Sequence, residues 1–313
     1  MIDVVILFFI LGLLAGLARS ELKLPAALYE SLSLVLLLTI GLKGGEGLAK
    51  QAIGPLLPQL GLVVLLCVVQ TLIAFGILRF VGRLGRADSA SIAAHFGSVS
   101  VATFAVATNW LMSRNISYEP QLTIFLTVME VPAIIVGILL ARGLSLKTNW
   151  RALSHEAFLG KGVTLLMGGL AIGWIAGPEG LAPIKDLFFN LFKGALALFL
   201  LEMGLIVARQ IGELRQKGLF IIAFGLFMPL LSALLGLWCG LAMGLSVGGV
   251  TLLATLAASA SYIAVPATMR LALPEASPAL SLSAVLGVTF PFNILVGIPV
   301  YHWMATQFTG VNI

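Results

Sequence analysis

The segment Gly97-Ser98-Val99-Ser100 places two serines and a glycine inside a long apolar run, and Ala258-Ser259-Ala260-Ser261 repeats that arrangement 161 residues later. Outward from these segments, other parts of the chain match at almost the same distance. Residues 38–42 correspond to residues 201–205, and the remaining matched pairs are Pro120 with Pro278, Pro132 with Pro291 and Gly137 with Gly297. The pattern predicts two related halves, residues 1–150 and residues 151–313.

The composition excludes a soluble globular protein. Of the 313 residues, 60% are hydrophobic and 10% are charged, and the mean hydropathy is +1.10. This is more apolar surface than one soluble core can bury. Because a helix needs about 20 residues to cross a bilayer, the chain divides into ten predicted spans, which cover residues 2–18, 25–42, 54–78, 89–111, 120–141, 160–177, 184–208, 218–243, 248–271 and 278–305.

Each half holds five predicted spans, and five is an odd number. The second half must therefore enter the membrane upside down relative to the first, as in the inverted repeats of secondary transporters. Thirteen lysines and arginines lie in the loops on one side of the predicted membrane and four lie on the other. The positive-inside rule then places both termini on the non-cytoplasmic side of a plasma or bacterial inner membrane.

Spans four and nine are unusually polar for membrane helices, so their polar faces must contact protein or water instead of lipid. We expect each to be a broken helix, interrupted near Gly97 in span four and before Pro266 in span nine. The second half of each span would then begin with free N–H groups and a positive dipole end. Two such ends approaching from opposite sides favour a small anion. The predicted anion-binding residues are Gly97, Ser98, Ser100, Ser259 and Ser261.

A carboxylate inside a membrane span is costly and therefore a candidate for function. Glu130 lies in the middle of span five, just before Pro132, and we expect it to bind a cation. Thr103 and Asn293 offer neutral oxygens of the kind that hard cations prefer. Glu130 and Thr103 are the first candidates for a Na⁺ site. Glu202 is the other carboxylate in the middle of a span.

Several function classes lack a motif in this sequence. The three histidines and two cysteines are too widely spaced for a transition-metal site. There is no Walker-type phosphate loop, no basic run with interleaved aromatics for nucleic acid, and no arrangement of nucleophile and base that predicts an enzyme. The sequence thus predicts transport driven by an ion gradient, with no cofactor besides the coupling ion. An uncoupled anion channel or a scaffold remains an alternative.

Segments spread over nearly the whole chain also carry a family resemblance. They are Leu24-Pro25-Ala26-Ala27, Ile40-Gly41-Leu42-Lys43-Gly44-Gly45, Phe96-Gly97-Ser98-Val99-Ser100, Arg209-Gln210-Ile211-Gly212-Glu213-Leu214-Arg215, Ala257-Ala258-Ser259-Ala260-Ser261-Tyr262-Ile263 and Pro266-Ala267-Thr268-Met269-Arg270. Together they resemble the sodium-dependent bicarbonate transporters first associated with cyanobacteria and their shorter bacterial relatives.

The resemblance implies an all-α homotrimer whose protomers each have ten helices in two inverted five-helix repeats. A mobile core domain would carry bicarbonate and sodium past a fixed gate domain in an elevator-like movement. Bicarbonate would lie between the helix tips at Ser98, Ser100, Ser259 and Ser261, and Glu130 matches an acidic position of the family. Cyanobacterial members are inhibited from the cytoplasm by a small trimeric protein similar to the nitrogen-regulatory PII proteins.

Two features depart from the family pattern. The family pattern of the cyanobacterial members has an aspartate at the position of Tyr262. Tyr262 therefore stands at the predicted cation site, where this chain lacks that carboxylate. The loop joining the two halves is short, about eighteen residues from Arg142 to Leu159. These differences keep open symport of another small monovalent anion or organic carboxylate, coupled to sodium or to protons, and leave a PII-like partner as an open question.

Overall fold

The computed structural model describes residues 3–50, 56–143, 155, 159–214 and 218–310. All regular structure in these residues is helical. The helices are α1 (Val4–Leu17), α2 (Ala26–Leu48), α3 (Leu56–Gly76), α4 (Arg86–Gly97), α5 (Val101–Met112), α6 (Leu122–Val128), α7 (Pro132–Arg142), α8 (Lys161–Leu181), α9 (Phe192–Leu214), α10 (Leu219–Ala242), α11 (Val247–Ala258), α12 (Ala264–Ala272) and α13 (Pro278–Thr309).

Eight helical stretches in this part of the chain are long and apolar enough to cross a membrane. Two of the eight comprise a pair of consecutive helices, α4 with α5 and α6 with α7. Two further apolar helices, α1 and α11, are shorter than a full crossing. They coincide with the predicted first span and the first part of the predicted ninth span.

Local sequence explains where several helices begin. The Asp3 side chain accepts a hydrogen bond from the Val5 amide at the start of α1, and the Ser246 side chain does the same for Gly249 in α11. Pro278 occupies the first position of α13, where a missing N–H costs nothing. The C-terminal part of α8 is kinked at Gly177, which has a φ of 60° that few residues other than glycine adopt.

The two most extensive helix contacts join the first half of the chain to the second, because α1 packs on α9 and α2 packs on α8. Both contacts use glycine for close backbone approach. A Cβ added to Gly12 would lie 3.3 Å from the Cα of Gly204, and a Cβ added to Gly41 would lie 3.0 Å from the Cα of Gly169. Small residues at such crossings are typical of membrane helices.

Two carboxylates in the first half of the chain accept hydrogen bonds at helix N-termini in the second half. Asp88 Oδ1 accepts a hydrogen bond of 2.7 Å from the amide of Ser277, at the start of α13. Glu119 Oε1 accepts one of 2.6 Å from the amide of Ser246, at the start of α11, and Glu119 Oε2 accepts from the hydroxyl of the same serine at 3.1 Å. Negative charge at a helix N-terminus is stabilising, so these contacts fix α11 and α13 against the first half.

The predicted span boundaries differ most at span seven. That span was expected over residues 184–208, whereas α9 runs over Phe192–Leu214. The reason is a pair of short irregular helices, Ala182–Ile184 and Asp186–Asn190, that follow α8 around Pro183. The predicted boundary between the halves, at residue 150, and four cations of the orientation count (Lys147, Arg151, Arg215 and Lys217) lie outside the described residues.

Candidate anion and cation site

The two serine segments lie side by side, each in the break between two consecutive helices. Helix α4 ends at Gly97 and α5 begins at Val101, while α11 ends at Ala258 and α12 begins at Ala264. The Ser100 amide donates to the Ser259 hydroxyl at 2.9 Å. The Ser261 amide donates to the carbonyl of His95 at 2.9 Å. Hydrogen bonds thus join residues of the two matched segments, which are about 160 positions apart in the chain.

All four serines are buried, each at most 2% exposed, but their hydroxyl groups differ in what they bind. The Ser98 hydroxyl donates to the carbonyl of Glu130 at 3.3 Å, and the Ser259 hydroxyl donates to the carbonyl of Leu256 at 2.7 Å. The protons of these two hydroxyls are therefore already engaged within the protein. Ser98 and Ser259 hold the crossing of the two segments in place.

Ser100 and Ser261 act as acceptors instead. The Ser100 hydroxyl oxygen accepts from the amide of Thr103 at 3.2 Å and from the hydroxyl of Thr103 at 3.0 Å. The Ser261 hydroxyl oxygen accepts from the amide of Val265 at 3.4 Å. In the described part of the chain neither hydroxyl donates to a protein acceptor. Neither serine lines the cavity that lies beside the crossing, but each directly precedes a residue of its wall, Val101 or Tyr262. Ser100 is also the N-cap residue of α5, whereas the N-cap of α12 is Ile263, which makes no side-chain cap hydrogen bond.

Gly97 is required by packing. A Cβ added at this position would collide with Thr71 Oγ1 and lie 3.0 Å from the Cβ of Ala133. The glycine thus allows α4 to end against α3 and α7. Its predicted part in anion binding is indirect in this arrangement, because it sets where α4 stops and Ser98 turns into extended backbone, with φ −97° and ψ −173°.

A cavity of about 520 Å³ lies beside the crossing. Its wall includes Val101, the first residue of α5, and Ala264, the first residue of α12. Helix N-termini carry unpaired N–H groups and about half a positive charge. Two such ends on one cavity favour an anion next to them. The polar residues that complete the wall are Tyr29, Glu30, Ser33, Glu130, Lys161, Tyr262 and Arg270.

The cavity wall carries two carboxylates, Glu30 and Glu130, and two cations, Lys161 and Arg270, so its formal charges cancel. Lys161 Nζ lies 3.8 Å from Glu30 Oε2 and so has a carboxylate neighbour. Arg270 makes no ion pair with the other described residues. Sequence reasoning counted Lys161 and Arg270 only as loop cations. The signal that could have identified Arg270 is its place two to three turns after the second serine pair, on the short helix that follows this pair.

Glu130 lies on the cavity wall and is 4% exposed. It lies between α6 and α7, immediately before the turn that leads into Pro132. Its Oε2 atom is buried and has no hydrogen-bond partner. A buried carboxylate oxygen without a donor is an unfavourable arrangement in the absence of a ligand, and it fits the expectation of a bound cation.

The other predicted cation ligands differ in whether their polar atoms already have hydrogen-bond partners within the protein. Tyr262 lines the cavity, and its hydroxyl is buried without a partner. Thr103 donates its hydroxyl proton to Ser100, which leaves its oxygen free to accept. Asn293 donates from Nδ2 to the carbonyl of Ala258 at 2.9 Å, and its Oδ1 accepts from the hydroxyl of Tyr301 at 2.7 Å. Both polar groups of Asn293 thus already have protein partners.

Asn293 has a counterpart that sequence reasoning missed. Gln70 is 1% exposed, and its Nε2 donates to the carbonyl of Ala257 at 3.0 Å. Together the two amides satisfy the last carbonyls of α11, which a helix C-terminus leaves unpaired. The available signal was the position of Gln70 within an otherwise apolar predicted span. Both residues therefore support the broken backbone beside the cavity.

A family model described as the Na⁺-dependent bicarbonate transporter superfamily matches residues 4–306. No curated protein matches the sequence.

Proposed function

The chain belongs to the Na⁺-dependent bicarbonate transporter superfamily, and from this membership and the cavity we propose that it is a sodium-coupled symporter of bicarbonate. Membership of a transporter family implies transport and not enzymatic catalysis, and a multi-pass helical membrane protein fits that role. The observation that carries the proposal is the placement of two helix N-termini, at Val101 and Ala264, on one cavity.

In this proposal the anion binds between those helix ends. The free amides at the starts of α5 and α12 and the hydroxyl protons of Ser100 and Ser261 are its donors. Arg270 supplies a full positive charge on the same wall. Ser98, Ser259 and Gly97 serve the site by holding the two segments against each other. A small monovalent oxyanion suits such a set of donors.

Sodium binds near Glu130 in the same proposal. The unpartnered Glu130 Oε2 provides the charged ligand, and Thr103 and Tyr262 provide neutral oxygens nearby. Asn293 acts through the carbonyl of Ala258. Hard cations prefer ligands of this type. A bound anion and a bound cation partly neutralise each other, which gives a physical reason for their joint transport.

We further propose ten membrane crossings in two inverted five-helix repeats, with the pairs α4/α5 and α11/α12 forming broken transmembrane helices. The symmetric pairing of α1 with α9 and of α2 with α8 supports this architecture. These four helices would form the fixed gate domain, and the remaining helices would form the core that moves in an elevator-like manner. Family resemblance further suggests a homotrimer, and the positive-inside count suggests an inner-membrane protein with both termini on the non-cytoplasmic side. The short loop between the halves leaves a PII-like cytoplasmic partner as an open question.

A second candidate is symport of a larger organic monocarboxylate, coupled to sodium or protons. The 520 Å³ cavity favours it, since volumes of about 300–1,000 Å³ are typical of sites for much larger ligands than bicarbonate. Apolar residues such as Leu37, Val163 and Ile263 on the wall also suit a carbon chain.

Uptake of radiolabelled bicarbonate into proteoliposomes tests the proposal. We expect an inward sodium gradient to drive accumulation, and a potassium gradient of equal size to give none. Accumulation that is indifferent to sodium contradicts the coupling. Inhibition by unlabelled short carboxylates at lower concentration than by unlabelled bicarbonate supports the second candidate instead. Current through planar bilayers that is strictly proportional to driving force supports an uncoupled channel.

A further inference from the structure

A second, smaller cavity lies at the opposite end of the same helices. It has a volume of about 90 Å³, and its wall includes Lys43 of α2, Thr108 of α5 and Tyr118. The large cavity touches the same two helices at Leu37 and Val101. The nearest wall residues of the two cavities on α5, Val101 and Phe104, are three residues apart, which is about 4.5 Å along a helix. The small cavity is a neighbouring pocket between α2 and α5, and no residue lines both cavities.

Lys43 is the charged residue of this pocket. Its Nζ lies 4.3 Å from the ring centroid of Phe192 and 5.5 Å from that of Phe189. Glu46, the acidic residue one turn away, pairs with Lys50 at 3.0 Å instead. Within the described ranges no carboxylate lies within ion-pair distance of Lys43. Aromatic faces stabilise the ammonium group without using its N–H donors on an acidic partner.

Tyr118 adds a neutral donor. It lies in the loop between α5 and α6, outside the membrane-spanning helices, and burial raises the pKa of Tyr118 to about 12. The phenol therefore keeps its proton near neutral pH and can donate it. Gly44 lets Thr123 pack closely against α2 on the other side of the pocket, because a Cβ at position 44 would lie 2.6 Å from Thr123 Oγ1.

We propose that this pocket binds a small monovalent oxyanion between the Lys43 ammonium group and the Tyr118 hydroxyl. An ammonium group and a phenol are donors suited to such a ligand, and a pocket of about 90 Å³ admits bicarbonate or formate but not a benzoate. A solute moving along α5 between the two ends of the molecule meets both cavities. The small pocket is thus a second anion site, at the end opposite the cavity that holds Arg270.

The test uses labelling of a cysteine at the pocket, which needs no transport. Met112 lines the pocket and is 44% exposed, so Met112→Cys is introduced together with Cys239→Ser; Cys67 is fully buried and stays. The full-length protein in detergent is treated with methanethiosulfonate reagents that carry either a sulfonate or a trimethylammonium group. The ratio of the two labelling rates reports the local charge.

We expect Lys43→Gln to lower the ratio of sulfonate to trimethylammonium labelling about tenfold, as the loss of electrostatic steering predicts. Sodium formate should slow labelling by the sulfonate reagent, and sodium benzoate should not. The matched control is Lys23→Gln, an exposed cation just before the other end of α2 that does not line this pocket. This control should leave the ratio unchanged.

An unchanged ratio in Lys43→Gln, or equal protection by formate and benzoate, overturns the proposal. Lys43→Arg, which keeps the charge, should retain the original ratio, and a Lys43→Gln variant that fails gel filtration is replaced by Tyr118→Phe, which should abolish formate protection. If formate protects the cysteine but the protein does not take up bicarbonate, the proposal for this pocket still holds, and only the proposed transport function is contradicted.

Discussion

The backbone amide of Ser100 donates a hydrogen bond to the side-chain hydroxyl of Ser259 at 2.9 Å. The two residues are 159 positions apart and lie in the matched halves of the chain. This bond joins the two segments of extended backbone from which α5 and α12 begin. Its consequence is that the starts of both helices open onto one cavity.

Ser259→Ala should therefore destabilise the fold. The substitution leaves the buried Ser100 amide without its acceptor, and an unsatisfied buried donor costs about 1–3 kcal/mol. Ser261→Ala removes only a long contact of 3.4 Å to the Val265 amide and should melt close to the wild-type temperature. Thermal unfolding in detergent compares the two variants.

The same pair separates structural from binding roles. Because hydrogen bonds to charged groups contribute about 1.5–3 kcal/mol, Ser261→Ala should raise the KM for the transported anion about tenfold or more. Ser259→Ala, measured below its melting temperature, should change KM less. Equal melting temperatures for both variants, or a larger KM effect in Ser259→Ala, would show that the assignment of the four hydroxyls is wrong.

Arg270→Gln should weaken anion binding strongly. This side chain is exposed and is the cation of the large cavity that has no carboxylate neighbour in the described structure. A hydrogen bond to a charged group contributes about 1.5–3 kcal/mol. We expect KM for the anion to rise at least about tenfold. Arg270→Lys should recover part of the loss, and Arg79→Gln, an exposed cation away from the cavity, should behave as wild type. A KM unaffected by Arg270→Gln removes Arg270 from the site.

Glu130→Gln should weaken the dependence on the cation more than the affinity for the anion. The amide keeps nearly the same volume but loses the charge that a cation needs. Glu202→Gln is the matched control, because Glu202 is also a membrane carboxylate, 8% exposed with an unpartnered Oε2, but does not line the large cavity. Uptake is measured over a range of sodium concentrations. If both variants shift sodium dependence equally, the effect is not specific to the site.

Gly173→Ala should destabilise the packing of α8 on α2. A Cβ at Gly173 would collide with the carbonyl of Leu42 and lie 3.1 Å from the amide of Glu46, and overpacking of this kind costs about 1–3 kcal/mol. Gly168 is on the same helix, and nothing lies within 4 Å of a Cβ built there. Gly168→Ala should therefore leave the melting temperature unchanged. If both variants lose a similar amount of thermal stability, the cause is helix propensity or lipid contact and not the packing of α8 on α2.

The helical fold could be predicted because it follows from patterns along the chain, and the same patterns led to the candidate site. Apolar runs of membrane length indicated the helices, and the duplicated serine segments indicated where two of them stop. The first residues of α5 and α12 could be expected to present free amides for the same reason. Glu130 was identifiable because a carboxylate within an apolar span is conspicuous.

The sequence could not predict which site residues hold the backbone in place and which are free to bind a ligand, because these roles depend on which atoms meet after folding. The sequence treats Ser98 and Ser100 alike, yet one hydroxyl donates to the carbonyl of Glu130 and the other accepts from Thr103. Asn293 was expected at the cation but holds the carbonyl of Ala258. Arg270 looks like a loop cation until α12 is seen to place it on the cavity.

Cryo-electron microscopy of the purified protein in sodium bicarbonate, with a matched data set in potassium gluconate, examines the anion site itself. We expect density for a small planar anion within hydrogen-bond distance of the amides at the starts of α5 and α12, near Arg270, and present only with sodium bicarbonate. Density for bicarbonate that contacts neither helix start, with the cavity beside Val101 and Ala264 the same in both data sets, would contradict the proposal.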